Sequence, residues 1–448
     1  MRCEVVTTAN TAKVTDGDGR EGTGEEARGA MGTLPLPRPL LRSALALYLD
    51  LHAHPELSGH EHRTADLLAA RLADHGLAVT RAVGGGHGLV GVLRNGPGPT
   101  VLLRTELDAL PVTEATGLPY ASTTPGVMHA CGHDLHIAAV TGAVALLAAD
   151  RDSWRGTLLV VGQPAEETLS GARPMLEDGR LYERFGTPDA VLAQHAAPLP
   201  AGTVAHAQGG APLMAGSIAV DVTLHGRGGH AATPHLTVDP VLMAAATVLG
   251  LQSVAAHATA PAEQAVLTVG SVRAGERGNI TPDTAELSLT VRAFTESALD
   301  RLLAAATRVV RAQAAAAGAP REPELTVTAR SPALLPDPAL TAAVRRAHEG
   351  PSARPGCWTP LPRRPPRTSR TSRRAGRRRR TGCSAPRAYA SGVRPGPGRP
   401  VDPNHAPGFA PDVRTALPAG ITALAAAARH VLGGSGETVP GGGGEAAS

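Results

Sequence analysis

At 448 residues the chain is too long for a single compact core, which stops growing at about 250–300 residues, so two domains are expected. No unbroken apolar run approaches the ~18 residues that cross a bilayer, the N-terminus lacks the basic-then-apolar pattern of a secretory signal, and the widely spaced Cys3, Cys131, Cys357 and Cys383 exclude a disulfide framework; a cytoplasmic, non-membrane protein is expected. The formal net charge of +4 hides an asymmetry: residues 351–400 hold 14 Arg and no Lys, Asp or Glu, a local +14 that leaves −10 for the rest of the chain, so the body is acidic and the basic balance comes from one segment.

Residues 1–35 are polar, Gly- and Glu-rich and aperiodic, and read as a disordered tail. From Leu40 the pattern becomes regular: amphipathic helices in LLRSALALYLDLHAH and HEHRTADLLAARLADHG, then strands GLVGVL and TVLLRTELDA. Helix HIAAVTGAVALLAAD follows, then buried strand GTLLVVGQPAEE, a short helix at ARPMLEDG and strand AVLAQHAAP. Strands alternating with helices predict an α/β fold with a mixed, mostly parallel sheet and flanking helices. Near Gly216 the texture changes to strand, helix, two strands, helix, strand, the order of a ferredoxin-like α+β domain. The expected division is a tail at 1–35, a first domain over 36–213 and 331–434, an insert at 214–330, and a flexible Gly-rich tail at 435–448.

The densest chemistry lies in GVMHACGHDLH. One glycine separates Cys131 from His133, so on an extended loop both side chains leave on the same side and can meet at one ion. Thiolate and imidazole suit zinc, manganese, cobalt or nickel to differing degrees, although a buried Cys beside a hydrogen-bonded His fits the pair alone equally well. Glu166 and Glu167 end a buried strand. On a pleated chain they would face opposite ways, one towards a metal and one towards substrate and water. His195 ends the next strand and His405 precedes the last helix, and in an α/β sheet the C-terminal strand ends gather sites. Asp108 could orient a ligand histidine or be a plain strand-end acid. His52 and His54 read as structural or supporting rather than ligating, His136 as packing, and His235 as a helix cap or a substrate contact.

The segments LHAHPELSGHEHRTA, LLRTELDALPV, GVMHACGHDLH, QPAEE, QHAAPLPAGTV, GRGGHAATPH and GNITPDTAELSLTVR occur in order. Together they resemble the amidohydrolase family of aminoacylases, hippurate hydrolases and plant auxin-conjugate hydrolases. That resemblance implies a zinc-peptidase-like catalytic domain carrying two divalent metal ions, of zinc, manganese, cobalt or nickel, on Cys131, His133, Glu167, His195 and His405. It implies Glu166 as the general base that deprotonates a metal-bridging water and then protonates the leaving amine. It further implies His230 as an oxyanion-stabilising residue reaching a partner subunit's site, and Asn279 and Arg292 as holders of a substrate carboxylate. The implied substrate is a small N-acyl amino acid, and the insert is implied to be a dimerisation domain of a homodimer.

Residues 351–400 match nothing in that pattern. Codons for Glu-Asp-Phe-Pro-His-Phe, a family-like run, give Arg-Thr-Ser-Arg-Thr-Ser when read one nucleotide later, which is what stands at Arg367 to Ser372. The strip thus reads as a local frameshift, which would leave an impaired homologue if core structure is lost. The competing reading is a nucleic-acid-binding Arg arm, disfavoured by the near absence of interleaved aromatics and by the acidic body.

Overall fold

The structure, a computed structural model, describes residues 3–9 (backbone), 36–199, 201–207, 211–260, 263–349 and 402–433. The strip 351–400, the tail 435–448 and the rest of the segment 1–35 lie outside the described residues. Two compact units emerge: one of residues 1–167, 171–208 and 337–448, the other of 168–170 and 209–336.

In chain order the first unit begins with β1 (Cys3–Ala9), α1 (Arg38–Ala53), α2 (His62–Asp74), β2 (Ala78–Thr80), β3 (Leu89–Asn95) and β4 (Thr100–Glu106). It continues with α3 (His133–Ala149), β5 (Gly156–Gln163), α4 (Ala172–Leu176), α5 (Leu181–Phe185), β6 (Ala190–Ala197) and β7 (Val204–Ala205). The second unit holds β8 (Gly216–His225), β9 (Gly229–His230), α6 (Pro240–Gln252), α7 (Val254–Ala258), β10 (Ala265–Ala274), β11 (Ile280–Thr281), β12 (Thr284–Ala293), α8 (Glu296–Ala316) and β13 (Glu324–Ser331). The chain then returns to the first unit with α9 (Pro338–Glu349) and α10 (Val413–Leu432).

The first unit is an α/β structure on a seven-stranded mixed sheet of order β2-β3-β5-β4-β6-β1-β7. Its pairings divide evenly: β5/β4, β4/β6 and β6/β1 are parallel and contiguous, and the other three are antiparallel. Side chains alternate across the pleat, so Leu103, Leu158, Val160 and Leu192 join a core with α1, α2, α3 and α10, while Leu102, Leu159 and Val161 meet Met175 and Leu181 of α4 and α5. Helix α3 is apolar nearly all round because it is buried along most of its length. A Cβ at Gly142 would come within 2.6 Å of Ile421, so glycine permits the close approach of α3 and α10.

Two expectations change here. Residues 3–9, expected in a disordered tail, form a strand in parallel register with β6 along Cys3–Ala9, with Thr7 opposite His195. The segment CEVVTTA has the β-branched content of a strand, which the polar composition averaged over 1–35 conceals. Helix α10, averaged over its length, is apolar enough to cross a membrane, a property that a search for unbroken apolar runs passes over. Two thirds of its apolar window is instead buried inside the protein, where it serves as a core helix.

The second unit is a four-stranded antiparallel sheet of order β10-β12-β8-β13. The order is the one that the split βαβ connection produces. Ile218, Val220, Val222 and Leu224 of β8 and Leu287, Leu289 and Val291 of β12 pack on Met243 and Leu251 of α6 and on Leu299, Leu302 and Val310 of α8. Both helices start on side-chain caps: Asp239 accepts from Val241 N–H at 2.8 Å, and Thr295 from Ala298 N–H at 3.2 Å.

Candidate metal centre

Because β4, β5 and β6 run parallel, their C-terminal ends share one edge. Register through Arg104–Ala193 brings Glu106 and His195, each two residues further on, to that edge beside the turn after β5 that carries Glu166 and Glu167. Helix α3 points its N-terminus at the same place: Gly132 caps it with φ +84°, and His133 is its first residue. A side chain at Gly132 would be strained and would press to 3.0 Å on Ala196. The convergence of Cys131 and His133 therefore comes from a left-handed glycine turn into a helix, not from an extended loop.

The five expected ligands do come together. Cys131, His133 and His195 place one donor atom each within 4.8 Å of one another, as do Cys131, Glu167 and His405. Cys131 belongs to both groups. Cys131 Sγ is 3.4 Å from His195 Nε2, and His405 Nε2 is 3.6 Å from Glu167 Oε2. His133 Nε2 stands 3.8 Å from a carboxylate oxygen of each glutamate. Glu166 and Glu167 thus converge, contrary to the expectation from pleating, because β5 has ended at Gln163 and Ala165 takes φ +47° in the turn.

The orientation of each imidazole is fixed from behind. His133 Nδ1–H donates to the Asp108 carbonyl at 2.8 Å, and His195 Nδ1–H donates to the Ala196 carbonyl at 2.7 Å, which turns both Nε2 atoms into the cluster. The backbone carbonyl of Asp108 makes the first of these bonds, and Oδ1 of the Asp108 carboxylate stands 3.4 Å from His133 Nδ1. Its Oδ2 accepts from the Ser58 hydroxyl at 2.7 Å and from Glu167 N–H at 2.9 Å. His405 is held by its own N–H on the Ala130 carbonyl at 2.8 Å, and Asn404 Nδ2 donates to the Ala196 carbonyl at 3.1 Å.

Electrostatics favour a cation. Burial raises the Cys131 thiol, but His133, His195 and His405 override it and hold the group down to about 2. Burial opposes protonation of both His195 and His133, yet the Cys131 thiolate lifts His195 to about 9, and Asp108 and Cys131 together raise His133. Burial also pushes up the carboxyls of Glu166 and Glu167, and the thiolate adds to the rise at Glu167. His133 Nε2 and Glu167 Oε1 are buried without a hydrogen-bond partner, which a metal would satisfy. The S, N and O donors fit borderline divalent ions.

Sequence reasoning passed over several supporting residues. Glu106, an acid at the end of an apolar strand, is fully buried and accepts from His136 Nδ1–H at 2.9 Å, while His136 Nε2 accepts from Ala196 N–H at 2.8 Å. His136 therefore does more than pack. His52 lies between Asp134 at 2.6 Å and Glu114 at 3.3 Å; although burial opposes it, these carboxylates raise it to about 10. His54 is exposed and bonds the Asp50 carbonyl, and His235 lies exposed in a short 3-10 turn.

The three remaining candidates belong to the second unit. His230 on β9 pairs in register with Ile280 of β11, and Ala231 N–H donates to the Asn279 carbonyl at 3.2 Å, so His230 and Asn279 sit on one short ribbon. Arg292 is exposed on β12, opposite Val266 and Ser217.

The chain is 38% identical over 256 residues to N-acetyl-L-cysteine deacetylase of Bacillus subtilis, covering 57% of this chain and 60% of that protein. It is 39% identical over 246 residues to hippurate hydrolase of Campylobacter jejuni, covering 55% and 63%. It thus spans under two thirds of the length of either relative. A dinuclear metal-binding peptidase of Bacillus subtilis has a similar solved structure, with TM-score 0.62 and 28% identity over 88% of this chain and 99% of that one. The model of peptidase family M20/M25/M40 matches residues 102–358, more than half of the chain, and the chain belongs to that family.

Proposed function

We propose that this chain is a metal-dependent amidohydrolase that cleaves N-acyl amino acids to a carboxylate and a free amino acid. The observation that carries it is the convergence of Cys131, His133, Glu167, His195 and His405 around one edge of the sheet with Glu166 beside them. These five side chains would hold two divalent ions, which when bound would supply Lewis-acid polarisation of the amide carbonyl and a water of lowered pKa. Zinc, manganese, cobalt and nickel all suit this donor set.

Glu166 is the general base. Its carboxyl is pushed up by burial and is still partly open to solvent, so it can take a proton from water and pass it to the departing nitrogen. Glu167, more deeply buried, has its backbone fixed by Asp108 and serves as a ligand. To His230 we assign stabilisation of the oxyanion in a partner subunit's site, and to Asn279 and Arg292 the substrate's free carboxylate, which a guanidinium grips through two hydrogen bonds. The reading includes a homodimer, supported by the second unit's surface: β10 pairs only with β12 among the described residues, and Val266 and Val272 on β10 and Leu242 and Leu249 on α6 are exposed.

Release of amino acid from a panel of N-acetyl and N-benzoyl amino acids tests the proposal. Turnover that disappears with a chelator and returns with metal supports it; metal-independent turnover, or none from a metal-loaded chain, overturns it.

A further inference from the structure

The segment ELSGHE between α1 and α2 supplies no ligand, yet it holds a carboxyl group with no exposure to solvent, that of Glu61. We propose that Glu61 is a positioning residue that fixes the backbone turn carrying Glu166 and Glu167. This rests on the amidohydrolase reading above and adds to it the residue that presents the base.

Glu61 Oε1 accepts a hydrogen bond from Ala165 N–H at 2.7 Å, across 104 residues of sequence. Ala165 has φ +47°, a left-handed conformation that is unfavourable for a residue bearing a Cβ. It follows Pro164, whose nitrogen has no proton to donate. Strained backbone of this kind persists only where its surroundings hold it. Two residues on, Glu167 N–H is held by Asp108 Oδ2 at 2.9 Å, so a buried carboxylate grips the amide on each side of Glu166. The two grips are joined: Ala109 N–H donates to the Glu56 carbonyl at 2.8 Å, and Leu57 forms a parallel bridge with Ala109.

Helix capping does not account for Glu61. It precedes α2, but its side chain makes no capping bond; Glu56 instead accepts from Arg63 and Thr64 N–H at 3.0 and 2.8 Å. A fully buried carboxylate is costly, and here its bond goes to the turn that aims the two glutamates at His133 Nε2. Displacing reacting groups by about 1 Å can cost ~100-fold in rate.

The test compares Glu61→Gln, Glu61→Asp and Glu61→Ala in the full chain by cobalt affinity in chelator competition, by kcat and KM on an N-acetyl amino acid, and by thermal unfolding. The Gln amide oxygen still accepts from Ala165 N–H, so Glu61→Gln should stay within about threefold of the parent in cobalt affinity and kcat. Glu61→Asp, one methylene too short, and Glu61→Ala should both lose about 10–100-fold in cobalt affinity and at least ~10-fold in kcat, with KM little changed. Should the Ala variant not fold, the Asp variant carries the comparison. Loss of thermal stability with cobalt affinity and kcat unchanged makes Glu61 merely structural and overturns the proposal, as does a Gln variant as damaged as the Ala variant. A parent chain that binds cobalt but does not turn over defeats the amidohydrolase reading alone, and cobalt affinity then decides the role of Glu61. A parent that binds no cobalt overturns both.

Discussion

Cys131 Sγ lies 3.4 Å from His195 Nε2, joining the loop ahead of α3 to the end of β6. Its thiolate faces His133, His195 and His405, so Cys131 is the donor common to both halves of the cluster. Cys131→Ser should weaken binding of cobalt or zinc by at least ~100-fold, since a hydroxyl is a poor substitute for a thiolate. With cobalt, the near-ultraviolet charge-transfer absorption of a thiolate ligand should be present in the parent and absent from the variant.

Asp108 holds the Glu167 amide through its carboxylate and His133 through its carbonyl. Asp108→Asn removes the negative charge that favours the ligand histidine and leaves one oxygen for the Ser58 hydroxyl and the Glu167 N–H. Metal affinity should drop about 10–100-fold, with a smaller effect on thermal stability, as read by isothermal titration and by calorimetry.

The buried pair His348–His206 predicts a pH dependence of stability. His348 Nε2 lies 2.9 Å from the Ala423 carbonyl and Nδ1 lies 3.0 Å from His206 Nε2, and burial, with help from His206, lowers His348 to about 4. Above its ordinary pKa of 6.5 the group is neutral folded and unfolded, so it has no effect on stability. As pH falls from 6.5 towards 4 the unfolded chain gains a proton that the folded chain refuses, and stability drops by about 3 kcal/mol in all. Denaturant unfolding at pH 7 and pH 4.5 should show this loss in the parent and a shallower one in His348→Gln.

Strand β1 pairs with β6 over residues 3–9, with Thr7 opposite His195. Deleting residues 1–9 should lower the melting temperature by at least about 4 °C and loosen the strand that presents His195, so metal affinity should fall with it. An unchanged melting temperature and metal affinity would contradict a structural role for this strand.

Much of this was legible in the chain because local patterns agreed with the final structure. The continuous apolar run of GTLLVVGQ, the alternation of strand β8 in the βαββαβ segment, and the amphipathic spacing of α1 and α2 matched the elements that form. That Cys131, His133, Glu167, His195 and His405 gather was legible through the ordered motifs that carry the family resemblance, since local patterning alone did not separate Glu166 from Glu167. The left-handed turns at Gly132 and Ala165 were not, since positive φ at an alanine leaves no mark in composition. Nor were the partnerships of Glu106 with His136 and of Glu61 with Ala165, 30 and 104 residues apart, since long-range hydrogen bonds have no local signature. The strand at 3–9 was hidden by the polar residues that follow it.

The most direct test is metal content by elemental analysis alongside hydrolysis of an N-acetyl amino acid, for the parent, Glu166→Gln and Glu167→Gln. The expected result is about two ions per chain in the parent and in Glu166→Gln, with turnover reduced by about 10²–10⁴-fold in the latter, and a loss of metal in Glu167→Gln. A Glu166→Gln variant that retains full activity, or a parent that hydrolyses the substrate without metal, would contradict the assignment of Glu166 as base and Glu167 as ligand.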